Sequence, residues 1–324
     1  MTNNLSFDAE QRRLQGVWFS ENLAPNHGYA GAAYRIRPAR RELNLAPSIR
    51  KAADRLFSAE PVIQWHQHAN HGLSSQACCL NFLLPFAEKP ELLRQWVEHV
   101  TAAQVSEMLS IESDRAGQPW FVTFEWIGDT DHLNESKNGA PRRRGANATA
   151  ADAAMLYRDL QGRRILLLIE WKYTEQYGQC LNKTGNAERR RRYEYIFRHP
   201  NGPIRADADV TLDDFFYEPF YQMLRQQMLT WRTEASDPQI DRARVLHLSP
   251  SGNRPLHRVT SPGLRSCGDD AFDVFKSLLV NPQDFVSMSI EDAFAPLAAW
   301  PQADWYPWLR NRYSSLWAET EVPA

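Results

Sequence analysis

The sequence predicts an α/β fold, in which a mixed central sheet is flanked by helices and extended by helical segments at both ends. Apolar residues with helical spacing precede a series of β-branched and aromatic runs. One of these runs, residues 165–169, is continuously apolar, which is typical of a strand buried on both faces. A further helix and a further strand follow it, so the pattern indicates one layered α/β sandwich.

Apolar spacing, serine start signals and prolines suited to a first helical turn predict the individual elements. Helices are expected at 11–18, 74–86, 90–110, 219–231 and 304–320, and in the basic part of 175–198. Strands are expected at 120–127, 151–157, 165–169 and 244–248, with a long polar loop at 128–147. We predict an N-terminal extension at 1–69, a core at 70–265 and a C-terminal helical addition at 266–324.

Composition limits the classes of protein to which the chain can belong. A hydrophobic content of 43% and a net charge of −2 indicate a folded chain that is not a general polycation. The four cysteines form no CxxC pair, which argues against a zinc framework or a disulfide scaffold and fits a reducing cytosol. No apolar run approaches the roughly 18 residues that a membrane span needs. We therefore expect a cytoplasmic protein without a membrane partner.

The end of the apolar run carries the residues with the clearest chemical meaning. Glu170 and Lys172 lie two positions apart, so on a strand both side chains leave the same face while Trp171 points to the other. An acid and an amine at the end of a buried strand are costly unless they are paired or used. Asp152 precedes Glu170 by a strand, a turn and a return strand, so an antiparallel neighbour could bring the two carboxylates together.

Two adjacent carboxylates repel each other unless a cation lies between them. Mg²⁺ suits such a pair because it prefers oxygen ligands and keeps waters for a substrate phosphate, and Mn²⁺ is the alternative ion. The metal would polarise the phosphoryl group and activate a water, while Lys172 would orient or deprotonate that water. The residues therefore predict hydrolysis of a phosphodiester.

Asp152 followed by Ile169-Glu170-Trp171-Lys172 resembles motifs II and III of the PD-(D/E)XK nuclease superfamily. The longer string at 169–175, Ile-Glu-Trp-Lys-Tyr-Thr-Glu, is similar to one bacterial, restriction endonuclease-like branch, as are residues 74–77 and 221–225. The resemblance covers roughly residues 70–250. It implies a restriction-endonuclease-like core, a Mg²⁺ cofactor and DNA as the partner.

The resemblance also implies roles for individual residues. Asp152 and Glu170 would bind the metal together with the backbone carbonyl of Trp171, and Lys172 would be the catalytic lysine. The helix after this strand often faces the site, and Glu218, Gln222 and Arg225 share one of its faces. Gln222, as a catalytic residue, or Arg225 would contact the lysine, a metal-bound water or the scissile phosphate. This chain has Ala151 where the motif usually has proline.

The motif I glutamate is left open among Glu107, Glu112 and Glu125. Glu125 could be a third metal ligand, but its place between Phe124 and Trp126 favours an outward-facing charge. A polar loop is favoured over a metal site for the histidines of residues 66–71, because no nearby cluster supplies further ligands.

Two arginine clusters are candidates for binding substrate phosphates. Arg190 and Arg191 belong to a basic run, for which a solvated helix face is an equally weighted alternative. Arg143 and Arg144 lie in the long loop, where a loop without a binding role is equally weighted. Arg225 is the remaining predicted phosphate contact.

Two other functions compete with that of a nuclease. One is a DNA-binding protein with a nuclease fold that does not cleave, and the other is a glycoside hydrolase that uses Asp152 and Glu170 as acid and base. The second leaves Lys172 and the arginines without a role. By analogy alone, restriction, defence or repair would be the setting. A homodimer would suit cleavage of both strands, although no segment specifies an interface.

Overall fold

The computed structural model describes residues 5–59, 63–136, 144, 148–176 and 180–317. Its α-helices are α1 (Phe7–Asn22), α2 (Arg50–Ser58), α3 (Ser75–Leu83), α4 (Pro90–Thr101), α5 (Asn186–Phe197), α6 (Phe220–Ser236), α7 (Ala271–Ser277), α8 (Ile290–Phe294) and α9 (Tyr306–Arg312). Its strands are β1 (Val105–Leu109), β2 (Glu112–Ser113), β3 (Pro119–Trp120), β4 (Thr123–Trp126), β5 (Ala151–Asp159), β6 (Arg164–Trp171), β7 (Arg242–Ser249) and β8 (Phe285–Ser289). Short 3₁₀ segments join many of these elements.

One six-stranded sheet organises the molecule. Its order is β1-β5-β6-β7-β8, with β4 also paired to β5. Strand β5 runs antiparallel to β1, β4 and β6, whereas β6, β7 and β8 run parallel to one another. Strands β2 and β3 form a separate ribbon. The mixed sheet with helices on both faces confirms the predicted fold class.

Strand β6 lies inside the sheet between β5 and β7, and it is buried on both faces. Ile165, Leu167 and Ile169 belong to a core that includes residues of α3, α4, α8 and α9. Leu166 and Leu168 face a second core, which α5, α6 and α7 cover. The alternation of side chains along a strand explains this division. The central strand predicted from the apolar run is therefore confirmed.

A tight turn between β5 and β6 fixes their register. Oδ1 of Asp159 accepts hydrogen bonds from the backbone N–H groups of Gln161 and Arg163 at 2.9 Å each. Gly162 adopts φ +80°, a conformation that costs a glycine little. At the open end of the hairpin, away from the turn, the final residue pair is Ala153 with Ile169. Residues 152 and 170 are consequently neighbours at one edge of the sheet.

The structure corrects several predicted boundaries. The helix predicted at 90–110 ends at α4, because Ala102 adopts a left-handed conformation (φ +51°), and the remaining apolar residues form β1. The strand predicted at 120–127 is divided into β3 and β4. The segment at 304–320 contains α9 and then a 3₁₀ turn. The sheet continues past residue 265, since β8 supplies a strand that was not predicted.

The segments at both ends of the chain pack on the sheet instead of standing apart. Trp305, Tyr313 and Trp317 share the core that contains α3 and α4. A small third cluster, which includes Trp18 and Phe19, joins α1 to the C-terminal region, where Trp18 packs edge-to-face on Trp308. Within the described residues, no helix combines the length and the apolar character that crossing a bilayer requires.

Candidate active site

A buried ion pair lies at the end of β6. Nζ of Lys172 is 2.5 Å from Oε1 of Glu170, and the two side chains are only 8% and 6% exposed. The other carboxylate oxygen, Oε2, accepts a hydrogen bond of 2.8 Å from Nε2 of Gln226. The same Gln226 amide also donates to the carbonyl of Ala150 at 2.8 Å. Both oxygens of Glu170 are thus held in place by groups from two elements.

Asp152 joins this pair through the backbone. Its Oδ2 accepts a hydrogen bond of 2.7 Å from the N–H of Trp171, which ties the start of β5 to the end of β6. Burial raises the pKa of Asp152 well above its usual value, and the charge of Glu170 raises it further, while Lys172 lowers it. The structure therefore brings Asp152, Glu170 and Lys172 together, as the spacing of the sequence predicted.

Glu125 faces this group, and the prediction of an outward charge is wrong. Phe124 and Trp126 pair with the residues on either side of Asp152, so Glu125 lies opposite Asp152. Glu125 adopts φ +51°, an unusual conformation for a residue with a side chain. This left-handed residue interrupts the regular alternation of β4, which explains why the pattern failed. Glu125 is buried, with 6% of its surface exposed.

His66 and Gln76 hold the Glu125 carboxylate. Oε1 of Glu125 is 2.8 Å from Nε2 of His66 and accepts a longer bond of 3.4 Å from Nε2 of Gln76. Oε1 of Gln76 also accepts from the backbone N–H of His66 at 2.9 Å. Gln76 therefore fixes both the carboxylate and the loop that carries the imidazole. Sequence reasoning assigned this histidine to a polar loop and did not link it to the site.

Helix α6 presents a polar stripe to the site. Gln222 and Gln226 lie four residues apart, which places them on one face of the helix, and Glu218, which precedes the helix, accepts a hydrogen bond of 3.2 Å from the backbone N–H of Gln222. Gln226 holds Glu170, whereas Gln222 lines the cleft beside it. Burial raises the pKa of Glu218, and the charge of Lys172 lowers it. Gln226 was missed in the sequence, although continuing the four-residue interval from Gln222 would have found it.

An open, predominantly polar cleft lies beside these residues. Six of the residues that line it are His66, Glu125, Thr149, Gln222, Arg225 and Gln226. A second, smaller and apolar hollow adjoins it and has Asp152 and Glu125 in its wall. A cleft with polar groups that converge on a buried acid and amine is the kind of site at which a charged substrate can bind.

Arg225, a predicted phosphate contact, lies in the wall of this cleft and is paired with an acid. Its Nη2 is 3.0 Å from Oε1 of Glu135. Glu135 also accepts hydrogen bonds from the hydroxyls of Tyr193 at 2.6 Å and Thr149 at 2.9 Å, and from the N–H of Thr149. Burial lowers the pKa of Arg225, but the charge and the hydrogen bond of Glu135, together with the nearby Tyr193 and Tyr221, outweigh burial and raise the pKa.

Arg144 is buried in the structure, which contradicts a solvent-facing phosphate contact. Its guanidinium pairs with Glu112 and donates to the hydroxyl of Thr123 and the carbonyl of Phe124, each at 3.2 Å. These contacts leave the guanidinium turned inward against the ribbon and β4. Arg143 lies outside the described residues.

Arg190 and Arg191 lie on the exposed face of α5. Nε of Arg190 donates to Asp213 at 2.8 Å, and Nη2 of Arg191 donates to Glu188 at 2.7 Å. The two arginine side chains are 49% and 66% exposed. Exposed ion pairs of this kind contribute little stability, so a phosphate can compete for either arginine.

The donor set suits a hard divalent cation. Mg²⁺ is usually bound through one or two carboxylates while it retains several waters. Asp152 and Glu170 supply two such carboxylates, and the carbonyl of Trp171 could supply a third oxygen. No group of three or more His, Cys, Asp or Glu side chains within the described ranges forms a metal cage. Two carboxylates and one carbonyl are a donor set that a hydrated Mg²⁺ could use.

The comparison with known protein families gives a match over most of the chain. The sequence model of a family described as "Restriction Endonuclease associating with ARP" matches residues 12–314. The match includes every described residue of the site and extends into both terminal segments. Among curated proteins and among solved structures, nothing matches the chain significantly.

Proposed function

The chain belongs to the family of restriction endonucleases associating with ARP, and from this premise we propose that it is a Mg²⁺-dependent nuclease that hydrolyses DNA phosphodiester bonds. One observation carries the proposal: Asp152, Glu170 and Lys172 meet at the edge of the sheet, where a polar cleft opens. Membership in the family makes DNA the substrate to test first.

The protein's own groups prepare this site for catalysis. The N–H of Trp171 orients Asp152, and the amide of Gln226 orients Glu170. When bound, Mg²⁺ would polarise the phosphoryl oxygen and supply an activated water. Lys172 would then be released in part from Glu170 and would hold that water or offset the charge that develops on the phosphate.

Exposed and cleft-lining arginines would hold the rest of the substrate. We propose phosphate contacts for Arg190, Arg191 and Arg225, and Arg143 remains a candidate from the sequence alone. The family's description pairs the nuclease with ARP, and we propose that this chain acts in the same pairing in the cytoplasm, in restriction, defence or repair.

The decisive experiment compares cleavage with binding. The wild type and the variants Glu170→Ala and Lys172→Ala are incubated with supercoiled and linear DNA in Mg²⁺, Mn²⁺ or EDTA, with Lys276→Ala on α7 as a control. We expect the wild type and the control to cleave only with metal. Each site variant should lose about 10²-fold or more in rate, yet bind DNA in Ca²⁺.

Other results would select the competing functions. A wild type that binds DNA but cleaves nothing with either metal would be a binding protein with a nuclease fold. Hydrolysis of a glycoside that persists in EDTA would favour the use of Asp152 and Glu170 as a carboxylate pair.

A further inference from the structure

The pair formed by His66 and Glu125 stands in the wall of the cleft without a role in the chemistry described so far. Glu125 is buried, whereas the His66 side chain is 43% exposed and lines the cleft. Glu125 engages Nε2 of His66, which leaves Nδ1 as the ring nitrogen that can serve a ligand. A buried acid that orients an accessible imidazole is an arrangement suited to proton transfer.

Two observations distinguish this pair from an ordinary surface contact. Glu125 reaches His66 from a left-handed backbone conformation (φ +51°), which is strained for a residue with a side chain and is typical of functional positions. Gln76 then bonds both partners, through the carboxylate of Glu125 and the N–H of His66. The fold therefore maintains this geometry at a cost.

The position of the pair relates it to the proposed reaction. His66 lines the same cleft as Gln226, and Gln226 holds Glu170. If a phosphate were bound at Asp152 and Glu170, the attacking water would lie near Lys172. The leaving oxygen would then be on a different side of the phosphorus atom. Among the described residues that line the cleft, His66 carries a side chain that can give a proton there.

We propose that His66, positioned by Glu125, is a further catalytic residue, which protonates the oxygen that leaves phosphorus during phosphodiester hydrolysis. The proposal rests on the nuclease function proposed above. Water oxygen forms the new bond to phosphorus and gives up a proton to solvent, and the electron pair of the broken P–O bond passes to the leaving oxygen. That oxygen takes the Nδ1 proton of the imidazolium, and the imidazole regains a proton from solvent.

The charges around His66 are consistent with this role. The hydrogen bond that His66 donates to Glu125 raises the pKa of His66, burial lowers it, and the negative charges of Glu125 and Asp152 raise it again. Lys172 opposes these effects, and Arg225 contributes a further positive charge in the cleft wall. The net result is a raised pKa, so the imidazolium persists to higher pH than that of a free histidine.

The test uses DNA in which sulfur replaces the bridging oxygen on the leaving side, at a position where wild-type cleavage has been mapped. Because a thiolate leaves without protonation, the variant His66→Ala should cleave this substrate at a rate close to that of the wild type. On ordinary DNA it should be slower by about 10²-fold or more. His68→Ala, in the same loop, is the matched control and should behave as the wild type does.

A pH profile and a measurement without activity complete the design. The wild-type rate should fall as pH rises through the pKa of His66, and His66→Ala should lack this limb. In the metal-free protein, Glu125→Gln should lower the pKa of His66 measured by NMR on labelled imidazole. Circular dichroism of both variants checks that they are folded.

Each contrary result has a distinct meaning. Equal loss of rate by His66→Ala on both substrates would overturn the proton-transfer role. The role would also be overturned if Glu125→Gln, but not His66→Ala, needed a higher Mg²⁺ concentration for half-maximal rate. Glu125 would then be a metal ligand. A wild type that cleaves no DNA would overturn the nuclease function itself, and this proposal with it.

Discussion

The side chain of Gln226 donates a hydrogen bond of 2.8 Å to Oε2 of Glu170, on the carboxylate oxygen that Lys172 does not occupy. Helix α6 and strand β6 are therefore joined at the carboxylate of Glu170 and not only through their apolar faces. A side chain that orients a metal-binding carboxylate typically influences metal affinity or activity by about 10–100-fold.

Gln226→Ala should accordingly reduce the cleavage rate by about 10–100-fold and raise the Mg²⁺ requirement, because Glu170 loses its orienting donor. Gln222→Ala, four residues earlier on the same face of α6, should have a smaller effect. Rates at several Mg²⁺ concentrations measure both. A larger loss from Gln222→Ala would support the catalytic role that the sequence predicts for Gln222.

Asp152→Asn should stabilise the metal-free protein and abolish its response to Mg²⁺. The carboxylate is held near Glu170 and Glu125, so its removal relieves a repulsion worth about 1–3 kcal/mol. Mg²⁺ at 100 times its dissociation constant should raise the free energy of unfolding of the wild type, but not of Asp152→Asn, by about 2.7 kcal/mol. Denaturant unfolding in EDTA and in Mg²⁺ measures the free energy of unfolding of each protein. Asp209→Asn, at an exposed position, is the control. Equal stabilisation of wild type and Asp152→Asn by Mg²⁺ would place the metal elsewhere.

Glu135→Gln should destabilise the protein most at neutral pH. Burial alone would raise the pKa of Glu135, but the charge of Arg225 and the bonds from Tyr193 and Thr149 outweigh it and lower the pKa. A lowered pKa means that the ionised form contributes stability above about pH 4.5, and that this contribution is lost as pH falls through the folded pKa. The deficit of the variant should be about 3 kcal/mol at pH 7 and should shrink in acid.

Glu234 on α6 provides a comparison with the opposite sign. Burial raises its pKa, although its carboxylate accepts a bond from the N–H of Ala243. Wild type should therefore lose stability relative to Glu234→Gln as pH rises above about 4.5. Urea unfolding from pH 3 to 7 tests both variants. If the stability differences of Glu135→Gln and Glu234→Gln from the wild type changed with pH in the same direction, the surroundings of Glu135 and Glu234 would not shift the two pKa values in opposite directions.

Replacing Arg190 and Arg191 together by alanine should weaken DNA binding without changing the rate at saturating DNA. Each phosphate contact contributes close to one unit to the slope of log affinity against log salt concentration, so the slope should fall by up to about 2. Affinity measured at several salt concentrations gives this value. An unchanged slope would mean that Asp213 and Glu188 retain the two guanidiniums and that α5 is a solvated face.

The central part of the fold could be predicted because its signals are local. A continuous apolar run at 165–169 identifies a strand buried on both faces, and the two-residue period places Glu170 and Lys172 together. The distance along the chain from Asp152 to Glu170 is enough for a strand, a turn and a return strand, and the structure forms this hairpin. These features depend on sequence spacing and on little else.

Other features depend on single backbone conformations or distant contacts that spacing does not reveal. A left-handed Ala102 ends α4, although alanine favours helix and the apolar period continues. A left-handed Glu125 turns that carboxylate inward against the alternation of its strand. The link between His66 and the site joins loop and strand residues 59 positions apart, since 125 − 66 = 59, and only the folded chain shows it.

Trp171 connects Asp152, at the start of β5, to the aromatic core that contains α3 and α8. Its N–H holds Asp152, while its ring lies 5.3 Å from that of Phe82 and 6.0 Å from that of Phe294. A fragment that stopped at residue 265 would keep the acids and the amine but lose β8 and one of the rings that seat this indole. A fragment that ends at residue 265 is therefore expected to fold poorly, although it contains the sequence motif. Fusions that leave the contacts of the Trp171 ring intact are compatible with the fold.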